Sequence, residues 1–202
     1  MPPLLKQIAD HHLLCGLFCQ EVGLWEGKAG MSLFFFLLSR HTGNQWYEIF
    51  AGELLDDVCN SLSQHCPVTF ADGLCGIGWV IEFLKKEGFI EGNTDDILEE
   101  IDKQVMERDV RRTTDVSLET GLVGIAAYVR CRLDSERTVS DYHPFDAEYL
   151  NDLDRACQHN GLKLKKDIYF MDNLWQTILP LLPSTEVLSW QKGIMIINEK
   201  HG

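Results

Sequence analysis

The chain has 202 residues, of which 45% are hydrophobic, so it can bury a core of domain size. Its formal net charge of −13 argues against nucleic-acid binding, which needs basic surface, and no apolar run reaches the roughly 18–20 residues of a membrane span. The seven cysteines are an odd number and no secretory pattern precedes them, so we expect reduced thiols and a cytoplasmic protein.

Three segments share the pattern of a glycine, two residues, a second glycine, an apolar residue and a small residue. The glycine pairs are Gly27 and Gly30, Gly73 and Gly76, and Gly121 and Gly124. Their first glycines are 46 and 48 positions apart, and a Gly-Asn turn at 43–44 returns at 92–93. A nearly fixed period of this length predicts a repeat architecture whose unit is a helical hairpin.

The glycine motifs predict the starts of inner helices. We expect the first glycine to adopt a backbone conformation closed to other residues, and the second to let neighbouring helices approach closely. The six apolar residues at 33–38 leave no polar face, so the inner helices should be buried all round.

In chain order, the apolar spacing predicts these helices. They cover 3–19 (outer), 27–40 (inner), 46–62 (outer), 73–87 (inner), 95–107 (outer), 120–133 (inner) and 145–159 (outer). An apolar helix at 167–182 and a short helix or strand at 187–197 follow. The outer helix at 46–62 should bury one stripe, formed by Trp46, Ile49, Phe50, Leu54 and Val58. The fold class is therefore all-α, in one domain over 1–202, with three clear hairpins in 1–134 and divergent helices in 135–202.

The stretches GLWEGKAGMSLFFFLLSRHTGNQWYEIFAGELLDDV, FADGLCGIGWVIEFL and SLETGLVGIAAYV resemble the lanthionine synthetase C-like (LanC-like) family over about residues 4 to 133. The resemblance implies helical hairpins in an α/α toroid, here a partial one, and a bacterial, cytoplasmic protein. It also implies a zinc ion, held by a Cys and an adjacent Cys-His pair, that activates a thiol for thioether formation in a precursor peptide.

The zinc ligands of the family cannot be carried over to this sequence. No cysteine is followed by histidine, and only the reverse order occurs, at His65-Cys66. We therefore expect no metal, no cofactor and no catalytic residues, and a protein that binds a peptide or assists a peptide-modifying enzyme.

Acidic residues lie just before the glycine motifs, at Glu26, Asp72 and Glu119, and Trp25 and Trp79 lie close to two of them. In a ring of inner helices these side chains would converge on one rim and could bind a substrate. Two carboxylates across a cavity would also suit a glycosidase-like α/α toroid, the alternative function. The structural interpretation is that the carboxylates cap helices and the tryptophans are core residues.

Two cysteine groups have simple structural interpretations. His11, Cys15 and Cys19 share one helix face but cannot close a tetrahedral metal site, so the cysteines should be core residues. Cys75, between two motif glycines, should be a packing residue, although a helix N-terminus could lower its pKa.

The number of hairpins predicts association. Three clear hairpins do not close a ring, so apolar flanks of the first and last inner helices need cover. A second copy or a partner chain is the favoured cover, and the alternative is the apolar tail that includes residues 168–182.

Overall fold

The computed structural model describes residues 1–62, 66–135, 143–162 and 187–199, which form eight α-helices and no strand. The helices are α1 (Pro3–Cys15), α2 (Lys28–Thr42), α3 (Gln45–Ser61), α4 (Leu74–Lys86), α5 (Asp95–Glu107), α6 (Leu122–Asp134), α7 (Ala147–His159) and α8 (Trp190–Asn198). The predicted all-α class is confirmed. The predicted helix at 167–182 and the residue His65 lie outside the described residues.

The described chain divides into two compact units. The first contains residues 1–62 and 187–199, and the second contains residues 66–135 and 143–162. The single domain over the whole chain stays a prediction. No helix of the described residues is long and apolar enough to cross a membrane.

In the first unit, α2 is the central helix, and its residues from 29 to 36 are all buried. The Ser32 hydroxyl donates to the Ala51 carbonyl of α3 at 2.8 Å, which fixes the hairpin of α2 and α3. On another side, α8 packs on α1 and α2. A Cβ atom on Gly30 would lie 2.5 Å from the Trp190 ring, so α8 covers this flank of α2. Part of the apolar flank of α2, for which we expect a partner chain, is therefore covered by α8 of the same chain. This helix lies beyond the segment 168–182 that we name as the alternative cover.

Helix α1 is shorter than predicted, and two sets of residues lie elsewhere than expected. The helix ends at Cys15 and a 3-10 turn at Gly16–Phe18 follows. Cys15 is exposed and Cys19 half-buried, so the core interpretation of these cysteines is wrong. The buried residue at this end of α1 is His12. In α3, Leu54 and Val58 face the core as predicted, whereas the first part of the predicted stripe is exposed.

In the second unit, α4 is buried at every position from Leu74 to Leu84. A Cβ atom on Gly78 would lie 2.4 Å from the Tyr128 ring of α6. The third small residue of this motif thus permits the close approach of two inner helices. Helix α5 packs on α4, and α7 packs on α6, as outer helices should.

Candidate functional site

The three inner helices begin in the same way. In each, the first helical N–H donates to the carbonyl oxygen seven residues earlier, at 2.9 Å: Lys28 to Glu21, Leu74 to Pro67, and Leu122 to Asp115. The preceding loop therefore curls over the helix N-terminus and satisfies its first backbone donor without a side chain. The repeat in the sequence is thus a repeat of loop geometry as well as of helix position.

The first glycine of each motif is required by close backbone approach. Gly27, Gly73 and Gly121 have φ values of −116°, −133° and −106°, which other residues adopt freely, so our conformational explanation was wrong. A Cβ atom on Gly73 would lie 2.0 Å from the Pro67 carbonyl oxygen, and one on Gly121 would lie 2.5 Å from that of Asp115. Any side chain there would push the loop off the helix.

The second glycine also faces its own loop. A Cβ atom on Gly30 would lie 2.1 Å from the Leu24 carbonyl oxygen, and a Cβ atom on Gly124 would lie 2.2 Å from the Leu118 carbonyl oxygen. Gly76 is buried and donates its N–H to the Thr69 carbonyl at 3.4 Å. Close helix packing is therefore only part of the reason for these residues.

In the second unit, the loops before α4 and α6 are joined by backbone hydrogen bonds. The N–H groups of Phe70 and Ala71 both donate to the Glu119 carbonyl, each at 3.0 Å. This brings exposed Asp72 and half-buried Glu119 onto adjoining loops. We call residues 66–73 and 115–121 the rim loops.

Glu26, in the first unit, is also exposed. The residues in the N-cap positions of the three inner helices are the motif glycines, which have no side chain to form a cap bond. The capping interpretation of the acidic residues stays a prediction.

Asp115 organises the second rim loop, and the sequence analysis missed it. Its carboxylate accepts from the Ser117 N–H at 2.8 Å and from the Thr120 hydroxyl. The Thr120 hydrogen bond, followed by those from Ser117, lowers the pKa of Asp115. An Asp followed by Ser two residues later is a turn pattern that could have indicated this role.

The two tryptophans lie in the core of their units. Trp79 is 1% exposed, with its ring 5.8 Å from Phe70 and stacked 5.5 Å from Phe83. Trp25 is 9% exposed, and its carbonyl accepts from the Trp190 indole at 3.0 Å. Neither ring offers a face to a ligand, so these two residues leave the candidate site and the core interpretation stands.

A buried ionic cluster, formed by Arg132 with three carboxylates, lies below the surface of the second unit. Arg132 bonds Glu82 of α4 at 2.7 Å, and Asp95 and Asp102 of α5 at 3.0 and 2.7 Å. The Tyr128 hydroxyl donates to Asp102 at 2.6 Å. Because Arg132, Glu82 and Asp102 are at most 1% exposed, no substrate reaches them and the cluster is structural.

The charges of this cluster shift the pKa values within it. Burial lowers the pKa of Arg132, but the hydrogen bond and charge of Asp102, with Tyr128 and Glu82, outweigh burial and raise it. Burial, then the Asp102 charge, raises the pKa of Tyr128 well above its usual value. The guanidinium and the phenol therefore keep their protons, as a fixed cluster requires.

The described residues contain no group of three or more His, Cys, Asp and Glu side chains placed to hold a metal ion. Burial raises the pKa of Cys75, which agrees with a packing role and not with a thiolate. The expected absence of zinc stays a prediction, because part of the chain is outside the described residues.

Helical hairpins whose inner helices begin at a loop-capped glycine place the protein among the all-α proteins with α/α toroid repeats. The model of the family described as lanthionine synthetase C-like protein matches residues 19–173, more than half of the chain, so the chain belongs to this family. The match extends well beyond residue 133, where the sequence resemblance ended. No curated protein matches the chain significantly.

Proposed function

We propose that this LanC-like chain serves lanthipeptide-type peptide modification by binding a peptide or a peptide-modifying enzyme, and does not itself catalyse zinc-dependent cyclisation. Family membership supports the link to peptide modification. The absence of any Cys-His dipeptide from the sequence supports the accessory role. Association with a modifying enzyme or with a second copy is part of the proposal.

The rim loops are the proposed peptide site. The observation that carries this assignment is the double hydrogen bond from Phe70 and Ala71 to the Glu119 carbonyl, since it holds two loops with exposed polar groups side by side. The loops carry the carboxyl groups of Asp72 and Glu119 and the exposed Thr120, whose hydroxyl donates to Asp115 and can still accept a hydrogen bond. Such groups suit a peptide that carries cationic or hydroxyl side chains.

Peptide binding tests the site. The probe is a fluorescent precursor-type peptide that contains Ser, Cys and Lys, and the variant combines Asp72→Asn with Glu119→Gln. Affinity should fall about threefold or more at low salt, where charge contacts count most. The matched control combines Glu100→Gln with Glu107→Gln, both exposed on α5, and removes the same number of charges, so it should leave affinity unchanged. If the test and control variants bound the peptide with equal affinity, the rim loops would not be the peptide site.

Cyclisation is tested separately with a dehydrated peptide and added zinc. Mass spectrometry after thiol alkylation should find every cysteine of the peptide still alkylated. Zinc-dependent loss of alkylation would show ring formation and refute the accessory role. Hydrolysis of a glycan that is lost in Asp72→Asn would instead favour the glycosidase-like alternative.

A further inference from the structure

The first unit presents a group of large apolar side chains to solvent. Leu14, Leu17 and Phe18, around the end of α1, are 73%, 57% and 81% exposed. Trp46 and Ile49, in the first turns of α3, are 75% and 52% exposed. We call these five residues the apolar band. So many large exposed apolar side chains in one small region are uncommon on a protein that has no partner there.

The segment that carries Leu17 and Phe18 packs against the helix that carries Trp46 and Ile49. A Cβ atom on Gly16 would lie 3.4 Å from the Phe50 ring and 3.6 Å from Leu54, so the 3-10 turn after α1 crosses α3 at this point. Leu17 and Phe18 follow Gly16 directly, while Trp46 precedes Phe50 by one helical turn and Ile49 is its neighbour. The exposed side chains therefore border a common site.

The surroundings of the band are acidic. Helix α3 carries Glu48, Glu53, Asp56 and Asp57 and has no Lys or Arg. The segment 16–27 adds two glutamates and no basic residue.

Two lysines near this region are already paired. Lys6 bonds Asp10 of its own helix at 2.5 Å, and Lys28 bonds Asp57 at 2.7 Å. An incoming cation therefore meets the carboxylates of Glu53 and Asp56 on the same helix as the exposed Trp46 and Ile49.

We propose that the apolar band binds a cationic amphipathic segment of a partner protein. Apolar side chains of the segment would cover Phe18 and Trp46, and its Lys or Arg residues would meet Glu48, Glu53 and Asp56. A second copy would bring the same acidic border against itself, with a net charge of −13 on each chain. An anionic membrane surface would be repelled in the same way. The band is formed by residues of the first unit and the rim loops by residues of the second, so this proposal does not depend on the proposed function.

A synthetic peptide of leucine and lysine in amphipathic helical order, about 18 residues long, is the probe. The test variant combines Phe18→Ser with Trp46→Gln. The control combines Ile97→Ser with Leu133→Ser, which are 41% and 42% exposed on helices of the second unit. Because all four residues are exposed, both variants should fold, and far-UV circular dichroism checks this.

The band variant loses two aromatic anchors, so its peptide affinity should be at least about tenfold weaker than that of the parent protein. The peptide affinity of the control variant should stay within about twofold of that of the parent. A peptide with glutamate in place of lysine should not bind. Peptide binding should also protect the exposed Trp46 indole from acrylamide quenching.

Three outcomes would overturn the proposal. Equal peptide affinity of the two variants would mean nonspecific attraction to an acidic protein. A dimer seen by light scattering and abolished in the band variant would assign the band to a second copy. Binding to vesicles of phosphatidylcholine and phosphatidylglycerol that is lost in the band variant would assign it to a membrane surface.

Discussion

The buried cluster around Arg132 leads to a sharp prediction about stability. Arg132→Met keeps the length and much of the volume of the side chain but removes the one guanidinium that pairs Glu82, Asp95 and Asp102. Glu82 and Asp102, both buried, would then lose the cation that bonds them. Loss of one partner from a buried ion pair costs about 3–5 kcal/mol of the free energy of unfolding. We expect a loss of this size at neutral pH.

The loss should depend on pH in a direction that the charges determine. Burial disfavours the charged form of a carboxyl group that has lost its cation. Such groups favour the folded state when protonated, and this contribution is lost as pH rises through the folded pKa. The destabilisation should therefore be smaller at about pH 5 than at about pH 8. Neutralising the partners, by adding Glu82→Gln and Asp102→Asn to Arg132→Met, should recover part of the stability.

Urea unfolding followed by far-UV circular dichroism measures this effect without screening the charges. Arg130→Met is the matched control, since it lies on the same helix and bonds Asp134 at 2.7 Å with both side chains nearly half exposed. Such a surface pair contributes at most about 1 kcal/mol. If Arg132→Met cost no more than Arg130→Met, or if its deficit did not shrink at low pH, the cluster would not be a sealed set of charges.

Three further predictions follow from individual residues. Gly73→Ala should destabilise the protein by about 2–4 kcal/mol in thermal or urea unfolding, because its Cβ atom would meet the Pro67 carbonyl. The control Gly52→Ala, in open space within α3, should be neutral or stabilising by up to about 1 kcal/mol. Equal effects of the two substitutions would contradict the close approach at Gly73. Burial, with His11, lowers the pKa of His12 to about 4, so stability should fall as pH drops from about 6.5 to about 4, and His12→Leu should flatten that part of the curve relative to the parent. Elemental analysis of purified protein should find no stoichiometric zinc, and one tightly held zinc per chain would disprove this.

The sequence predicted the positions of the inner helices better than the reasons for them. The helices at 28–42, 74–86 and 122–134 begin one or two residues after the predicted starts. Glycine pairs followed by apolar runs are local patterns, so spacing alone reveals them. For Gly73 and Gly121 the reason is a contact with the carbonyl six residues earlier, which depends on the path of the loop. A sequence shows that a small residue is present but not which atom excludes a larger one.

The ends of the outer helices were less predictable, for a different reason. Apolar spacing placed Trp46 and Ile49 on one stripe with Leu54 and Val58, because a periodic stripe is normally buried, and it extended the first outer helix through residue 19. In the structure the 3-10 turn at Gly16–Phe18 redirects the chain, and Trp46 and Ile49 remain exposed. Periodicity shows which residues share a face, but not where the neighbouring helix stops covering that face. Apolar residues that the stripe pattern predicts to be buried but that are exposed in the structure therefore indicate the binding surface that we propose.

The buried charges were the part of the second unit least accessible from sequence. Arg132 and Asp102 are 30 positions apart, and Arg132 and Glu82 are 50 apart. In a single sequence, each looks like an ordinary polar residue on a helix. Only the packing of α4, α5 and α6 brings them together, and the cost of burying each charge makes their pairing obligatory once packing occurs. Two of these helices, α4 and α6, carry the second motif glycines Gly76 and Gly124, which lie against the rim loops. Glu82 and Arg132 lie in the C-terminal halves of α4 and α6, whereas the rim loops precede the first turns of the same helices, so Arg132→Met tests the packing of these helices without changing any residue of the rim loops.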